Sequence, residues 1–255
     1  MQHHSIKEIA ALLKDKKTLS EAERQHLEED QRKGVKSLLD TWERKRAKEK
    51  ALETQYERML AFEEQLYTKG YSLVAGMDEA GRGPLAGPVV AAAVIIDPKQ
   101  PIIGVNDSKQ LTKKLRRELL TEIKAKALGI GVGMASAQEI DEVNIYQATI
   151  LAMKRAVEAL TPVPHYLLVD AMTVPVHIPQ HAITKGDARS VSIASASIVA
   201  KETRDALMDD LAVRYPGYGF EDHHGYGTAE HLQAIKTLGP CSEHRMSFSP
   251  LRRED

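Results

Sequence analysis

The sequence predicts an α/β protein: a mixed sheet with helices on its faces, preceded by a helical extension and closed by C-terminal helices. Three observations carry this. The composition changes abruptly near Gly70, three short runs of small and β-branched residues follow it, and the later apolar runs are separated by stretches of helical periodicity. With 255 residues and 42% hydrophobic content, the chain can bury one sizeable core and carry an appendage, whereas two full domains would be a squeeze. Residues 1–70 therefore read as the charged extension and 71–255 as the main domain.

Before Gly70 the chain alternates Lys, Arg and Glu, has no proline, and carries only Gly34. Apolar residues recur at helical spacing in Ile6, Ile9, Ala10 and Leu13, in Leu38, Leu39 and Trp42, and in Leu52, Tyr56, Met59, Leu60 and Phe62. Two or three helices are expected, one opened by a capping box of Ser20 and Glu23. The charge reads first as a solvated helical face, and second as a contact surface for a nucleic-acid backbone.

From Tyr71 the elements come in order. Leu73 to Met77 is a short strand ending at Asp78-Glu79, and Pro88 to Ile96 is a second, joined to it by a glycine-rich turn. Leu111 to Leu128 has helical periodicity until Gly129 stops it, and Ile130 to Ala135 is a third strand. A helix covers about Ile145 to Leu160, and Pro162 and Pro164 break the chain before Tyr166 to Val169, an apolar run fit for a buried strand that delivers Asp170 at its carboxyl end. Ala182 to Thr184 is one more short strand. Ser190 to Tyr215 is a long helix stopped by Pro216-Gly217, and Thr228 to Leu238 a shorter one stopped by Gly239-Pro240.

Charge excludes the simplest kind of nucleic-acid binder. Thirty-six acidic against 35 basic residues leave a net charge of -1, so any basic surface is local. Cys241 is the sole cysteine and cannot form an internal disulfide, no apolar run approaches the roughly 20 residues that span a bilayer, and the amino terminus lacks a signal-like core. A reducing cytoplasm, with no membrane association, is the expectation.

A carboxylate at the end of an apolar strand is costly to desolvate unless it is paired, hydrogen-bonded or ligated to a metal, and Asp78, Glu79 and Asp170 all sit at such ends. Strand alternation points Asp78 and Glu79 to opposite faces, but the turn that follows can bend both toward one centre. Asp205 is a fourth candidate. It shares a helical face with Lys201 and Ser197, where an ordinary Lys–Asp salt bridge is the plainer reading. Hard oxygen ligands without Cys or paired His favour Mg²⁺ or Mn²⁺, and two such ions suit in-line phosphodiester cleavage. His223, His224, His231 and His244 match no common zinc spacing and read as structural or solvent-facing. Gly81, Gly83 and Gly87 are spaced unlike a dinucleotide fingerprint and precede a strand, so the turn reads instead as a place where backbone approaches a ligand, with Arg82 supplying charge.

These residues carry a family resemblance. The run Gly76 to Val90, read GMDEAGRGPLAGPVV, resembles the signature of the ribonuclease HII family, within the type 2 ribonucleases H. Asp107-Ser108-Lys109, Val169-Asp170-Ala171, Ala194 to Lys201 with Arg204-Asp205, Gly225 to Thr228, and His244 to Phe248 follow in the family's order. The resemblance covers Tyr71 to about Leu251 and implies an RNase H-like fold. It also implies that Asp78, Glu79, Asp170 and Asp205 are the catalytic, metal-binding carboxylates. The turn Gly81, Arg82 and Gly83 would read ribose 2′-hydroxyls through its backbone, the group that separates RNA from DNA. Tyr226 would pack on the sugar where RNA gives way to DNA, and Lys109 and Lys201, with Ser197, would contact phosphate.

The implied activity is endonucleolytic cleavage of RNA in RNA–DNA hybrids and of DNA containing ribonucleotides, with Mg²⁺ or Mn²⁺, leaving 3′-hydroxyl and 5′-phosphate ends, as ribonucleotide excision repair requires. A monomer is expected, with no protein partner specified. Two alternatives stay open: a ribonuclease HIII-like hybrid nuclease, which Arg82 argues against, and a catalytically silent nucleic-acid-binding module, which retention of the carboxylates argues against.

Overall fold

The computed structural model describes residues 4–252. Contacts divide the chain into two units, Met1–Gln55 and Tyr56–Asp255. In the first, α1 (Ile6–Asp15) and α2 (Glu21–Glu29) both open on capping boxes, Ser5 with Glu8 and Ser20 with Glu23, and α3 (Lys33–Met59) begins after a short link. Ile9, Leu13, Leu27, Val35 and Leu39 form this unit's own core. The Trp42 indole closes it by donating to the Lys16 carbonyl at 3.1 Å.

The division falls earlier than the composition break at Gly70. Tyr56 and Met59, at the end of α3, are buried in the core of the second unit, and α4 (Ala61–Thr68) buries Leu66 there as well. Glu63 on α4 is fully buried, and its Oε1 accepts from Ser190 Oγ at 2.6 Å, Ser192 Oγ at 2.6 Å and Ser192 N at 2.9 Å. That carboxylate ties α4 to the start of a central helix, α7 (Val191–Arg214).

The second unit is built on one five-stranded sheet in the order β3-β2-β1-β4-β5. β1 (Val74–Ala80), β2 (Val89–Ile95) and β3 (Gly129–Ala135) run antiparallel as a meander, while β4 (Tyr166–Asp170) and β5 (Gln180–Ile183) run parallel to β1. β2 is apolar throughout because both faces are covered. Ala91, Ala93 and Ile95 pack toward α6 (Ala137–Glu158), and Ala92 and Val94 toward α7 and α5 (Lys113–Lys126). α7 lies directly against β1 at Gly76, where a Cβ would fall 2.0 Å from the Ser192 carbonyl carbon.

The helix expected from Ile145 starts earlier. A capping box of Ser136 and Glu139 opens it at Ala137, and the helix breaks at Asn144, whose φ is 68°. There the Asn144 carboxamide accepts from the amides of Tyr146 at 3.0 Å and Gln147 at 3.2 Å, recapping the second half. Two helices complete the unit, a short α8 (Phe220–His223) absent from the sequence reading and α9 (Ala229–Leu238). Among the described residues no helix is long and apolar enough to cross a membrane.

Candidate active site

The sheet register brings the acidic residues together. Met77 pairs with Val169 across the parallel β1–β4 ladder, so the next residue on each strand, Asp78 and Asp170, stand side by side at the carboxyl ends. Asp170 in turn pairs with Ile183 of β5, and the chain leaving β5 returns through a tight turn at Gly186. The Gly186 amide donates to Asp170 Oδ1 at 2.7 Å, which brings Asp187 alongside. Carboxylate oxygens of Asp78, Asp170 and Asp187 lie within 4.8 Å of one another.

The electrostatics of this group are those of charges lacking a counter-charge. Burial, then the neighbouring Glu79 and Asp170, raise the Asp78 carboxyl well above the usual carboxylate range, although Ser197 hydrogen-bonds to it. Burial also raises Glu79, against the pull of Arg82, and Asp187 is raised by burial and by Asp107 and Asp170. Arg82 Nη1 reaches Glu79 Oε1 at 3.3 Å, but Glu79 Oε2 is buried with no hydrogen-bond partner. Acidic oxygens that repel one another, together with an orphaned carboxylate oxygen beside them, fit hard divalent cations.

Asp205 is not in this group. It is 3% exposed, its Oδ1 is 2.5 Å from Lys201 Nζ, and Arg116 Nη2 of α5 lies 3.7 Å from its Oδ2. Glu202 shares the same arginine, with Arg116 Nε at 2.7 Å. The structure therefore places the sequence candidate Asp205 apart from the three grouped carboxylates, in an ion-pair network with Lys201 and Arg116. Asp187 was missed. Its signal was its place in the turn after a parallel strand, at the end of the sheet where Asp78 and Asp170 also emerge.

All seven residues expected to contact substrate line one cleft of about 360 Å³, together with Glu79: Gly81, Arg82, Gly83, Lys109, Ser197, Lys201 and Tyr226. Gly81 has φ 93°, and this left-handed backbone lets the strand turn sharply away after the carboxylates. The Tyr226 side of the cleft faces Gly83, whose Cβ position would be 3.8 Å from the Tyr226 ring. Ser197 Oγ and Ser108 Oγ share a hydrogen bond of 3.0 Å, joining α7 to the short turn that carries Lys109.

The histidines hold the Tyr226 loop. His231 Nδ1 lies 2.9 Å from the Tyr226 carbonyl oxygen, which can only accept, so that nitrogen carries the proton. His231 Nε2 must then accept from His244 Nε2 at 3.1 Å, and His244 Nδ1 accepts from the Cys241 amide at 2.9 Å. His223 accepts from the Gly225 amide at 3.1 Å and reaches the Tyr218 carbonyl at 2.8 Å.

The family model described as Ribonuclease HII matches residues 75–250, and that described as Ribonuclease HII N-terminal domain matches residues 5–67. The ribonuclease HII of Geobacillus thermodenitrificans is 51% identical over 252 residues, covering 99% of this chain and 97% of that one. That of Bacillus licheniformis is 46% identical over 255 residues, covering 100% of each. Among solved structures, the ribonuclease H2 of Pyrococcus horikoshii OT3 superposes with a TM-score of 0.61 at 29% identity, over 70% of this chain and 95% of that one. The RNase HII of Archaeoglobus fulgidus, solved in a complex with PCNA, gives 0.58 at 26% identity, over 72% and 98%. Matched along nearly its whole length by both family models and by these relatives, the chain belongs to the ribonuclease HII family of endoribonucleases.

Proposed function

We propose that the enzyme hydrolyses the RNA strand of RNA–DNA hybrids and nicks duplex DNA on the 5′ side of single embedded ribonucleotides, leaving 3′-hydroxyl and 5′-phosphate ends. The observation that carries this reading is the grouping of Asp78, Asp170 and Asp187 next to a cleft lined by Glu79 and the glycine-rich turn. Asp78, Glu79, Asp170 and Asp187 would hold two divalent cations, Mg²⁺ or Mn²⁺. Such cations, when bound, lower the pKa of an attacking water and offset charge on the departing 3′-oxygen.

The chain's own residues supply position and selectivity. The backbone at Gly81, Arg82 and Gly83 contacts the ribose, Tyr226 packs on the deoxyribose that follows, and Lys109 and Lys201 take phosphate oxygens. Lys201 is held in place for this by Asp205, one turn further along α7. Ser197 donates toward the carboxylates and orients Asp78.

The test is cleavage of a DNA duplex bearing one ribonucleotide beside a uniform RNA–DNA hybrid, with both product ends mapped. A single nick 5′ of the ribonucleotide, dependent on Mg²⁺ or Mn²⁺, is expected. A 2′,3′-cyclic end would overturn the water-attack chemistry, and cutting of the hybrid alone would move the protein toward ribonuclease HIII.

A further inference from the structure

Two buried arginines lie beneath the glycine-rich turn, and their hydrogen bonds run to main-chain carbonyls rather than to carboxylates. Arg204 on α7 and Arg245, which follows α9, are 1% and 0% exposed. Arg204 donates to the carbonyls of Pro88, His224 and Ala86, at 3.0 Å each. Arg245 grips the turn itself. Its Nη2 donates to Gly81 O at 2.6 Å and Gly87 O at 2.7 Å, its Nη1 to Arg82 O at 3.0 Å and Pro84 O at 2.8 Å, and its Nε to Gly87 O at 2.9 Å. A Cβ on Gly81 would fall 2.0 Å from Arg204 Nε, so the turn rests directly on these side chains. Burial, and Arg204 beside it, pull the Arg245 pKa down to about 9, which leaves it charged at neutral pH.

The planarity of the peptide group turns this grip into a statement about the opposite side of the turn. In a trans peptide the N–H of one residue points opposite to the carbonyl of the residue before it. With the carbonyls of Gly81 and Arg82 aimed at the buried guanidinium, the amides of Arg82 and Gly83 are aimed away from it, and both residues line the cleft. Among the described residues neither of these amides has a protein acceptor, whereas the Leu85 amide, beyond the Pro84 carbonyl, is taken by Gly225 O at 2.8 Å.

We propose that Arg245 is a positioning residue for ribose recognition: by holding the Gly81 and Arg82 carbonyls inward, it presents the Arg82 and Gly83 amides as paired donors to the 2′-hydroxyl oxygen. This rests on the reading that the turn contacts the ribose. A hydroxyl oxygen has two lone pairs and can accept from both amides, while a deoxyribose offers neither amide a partner. Only a guanidinium suits the role, because its planar fork of five donors spans carbonyls that a lysine's three divergent donors cannot reach together.

The experiment compares binding of the full chain, in EDTA so that nothing is cut, to two duplexes of one sequence, one all-DNA and one with a single ribonucleotide. The parent should prefer the ribonucleotide duplex. Arg245→Lys keeps the charge, so its affinity for all-DNA duplex should stay near the parent's while the preference falls roughly tenfold, the size of one net hydrogen bond. A parental preference in Arg245→Lys overturns the proposal. No preference in the parent removes instead the reading on which it rests. Should the variant melt below the assay temperature, the parent still decides: its Arg82 and Gly83 amide resonances should shift with the ribonucleotide duplex and not with all-DNA. Unmoved amides alongside an intact ribose preference overturn the proposal equally.

Discussion

Asp187 and Asp205 make opposite predictions, and a pair of single substitutions separates them. Asp187→Asn removes one charge from a group whose carboxylates already repel, since burial and then Asp107 and Asp170 push its pKa up. Folding stability should hold or rise, while turnover on a single-ribonucleotide duplex should fall by about 10²–10³, the scale of losing one preorganised charge-stabilising group. Asp205→Asn breaks a buried ion pair: Lys201, 2.5 Å away, loses its carboxylate, while Arg116 loses a contact at 3.7 Å and keeps Glu202 at 2.7 Å. Breaking one side of such a pair costs about 3–5 kcal/mol. At roughly 2–4 °C per kcal/mol for a chain of this size, the melting temperature should drop by about 6–20 °C. Below that temperature the rate should stay within about tenfold of the parent, because the lost partner only steadies Lys201. Calorimetric melting and initial rates at one temperature below both transitions give the two readouts. An Asp205→Asn protein with a parental melting temperature and no turnover would return Asp205 to the metal site, and parental turnover in Asp187→Asn would remove Asp187 from it.

Three further outcomes are expected. Tyr226→Ala should slow cleavage at an RNA–DNA junction roughly tenfold to a hundredfold, the effect of about 1–3 kcal/mol of packing, and should slow cleavage inside a long RNA tract less; equal losses on both substrates would take Tyr226 out of the junction role. Deleting residues 1–55 should leave a folded second unit with a flatter salt dependence of duplex binding, because Lys14, Lys17, Arg44 and Lys48 are removed, whereas deletion through residue 69 should destabilise it by taking Glu63 from Ser190 and Ser192. An unchanged salt slope would show that the extension does not touch phosphate. Burial and His231 hold the His244 pKa down to about 4 against an ordinary value of 6.5. Between those values the unfolded chain binds the extra proton, so this contribution to stability is complete above pH 6.5 and is lost as pH falls toward 4. Urea midpoints across that range should decline with acid and decline less in His244→Gln; parallel curves would rule out this histidine as a source.

What the sequence determined on its own was local. Strands β1, β2 and β4 are short apolar runs ended by Gly, Pro or a carboxylate, β3 runs from Gly129 to the Ser136 helix cap, and the long helices declare themselves by period and by caps, so their places were readable within a few residues. The glycine-rich turn stood out by its spacing, whereas the substrate roles expected of Lys109, Lys201 and Tyr226 came from the family resemblance. The first half of α6 was not readable: the sequence reading starts the helix at about Ile145, just after the Asn144 break, and lacks the turns from Ala137 that the Ser136–Glu139 capping box opens. The contact division at Gln55 falls inside the extension read from composition, because Tyr56, Met59 and Glu63 are spent on the second unit's core.

The fourth carboxylate shows the limit most clearly. Asp205 stood out in sequence because Lys201 and Ser197 share its helical face, yet that same one-turn neighbour is what neutralises it. Asp187 had no such local marker. It reaches Asp78 and Asp170 only because β4 and β5 run parallel to β1 in a set register, so that the β4 and β5 ends meet the end of β1, about 90 residues earlier in the chain, at one end of the sheet. Local periodicity specifies which residues can form a strand or a helix; strand order and register, set by the burial of both faces of the sheet, decide which carboxylates meet.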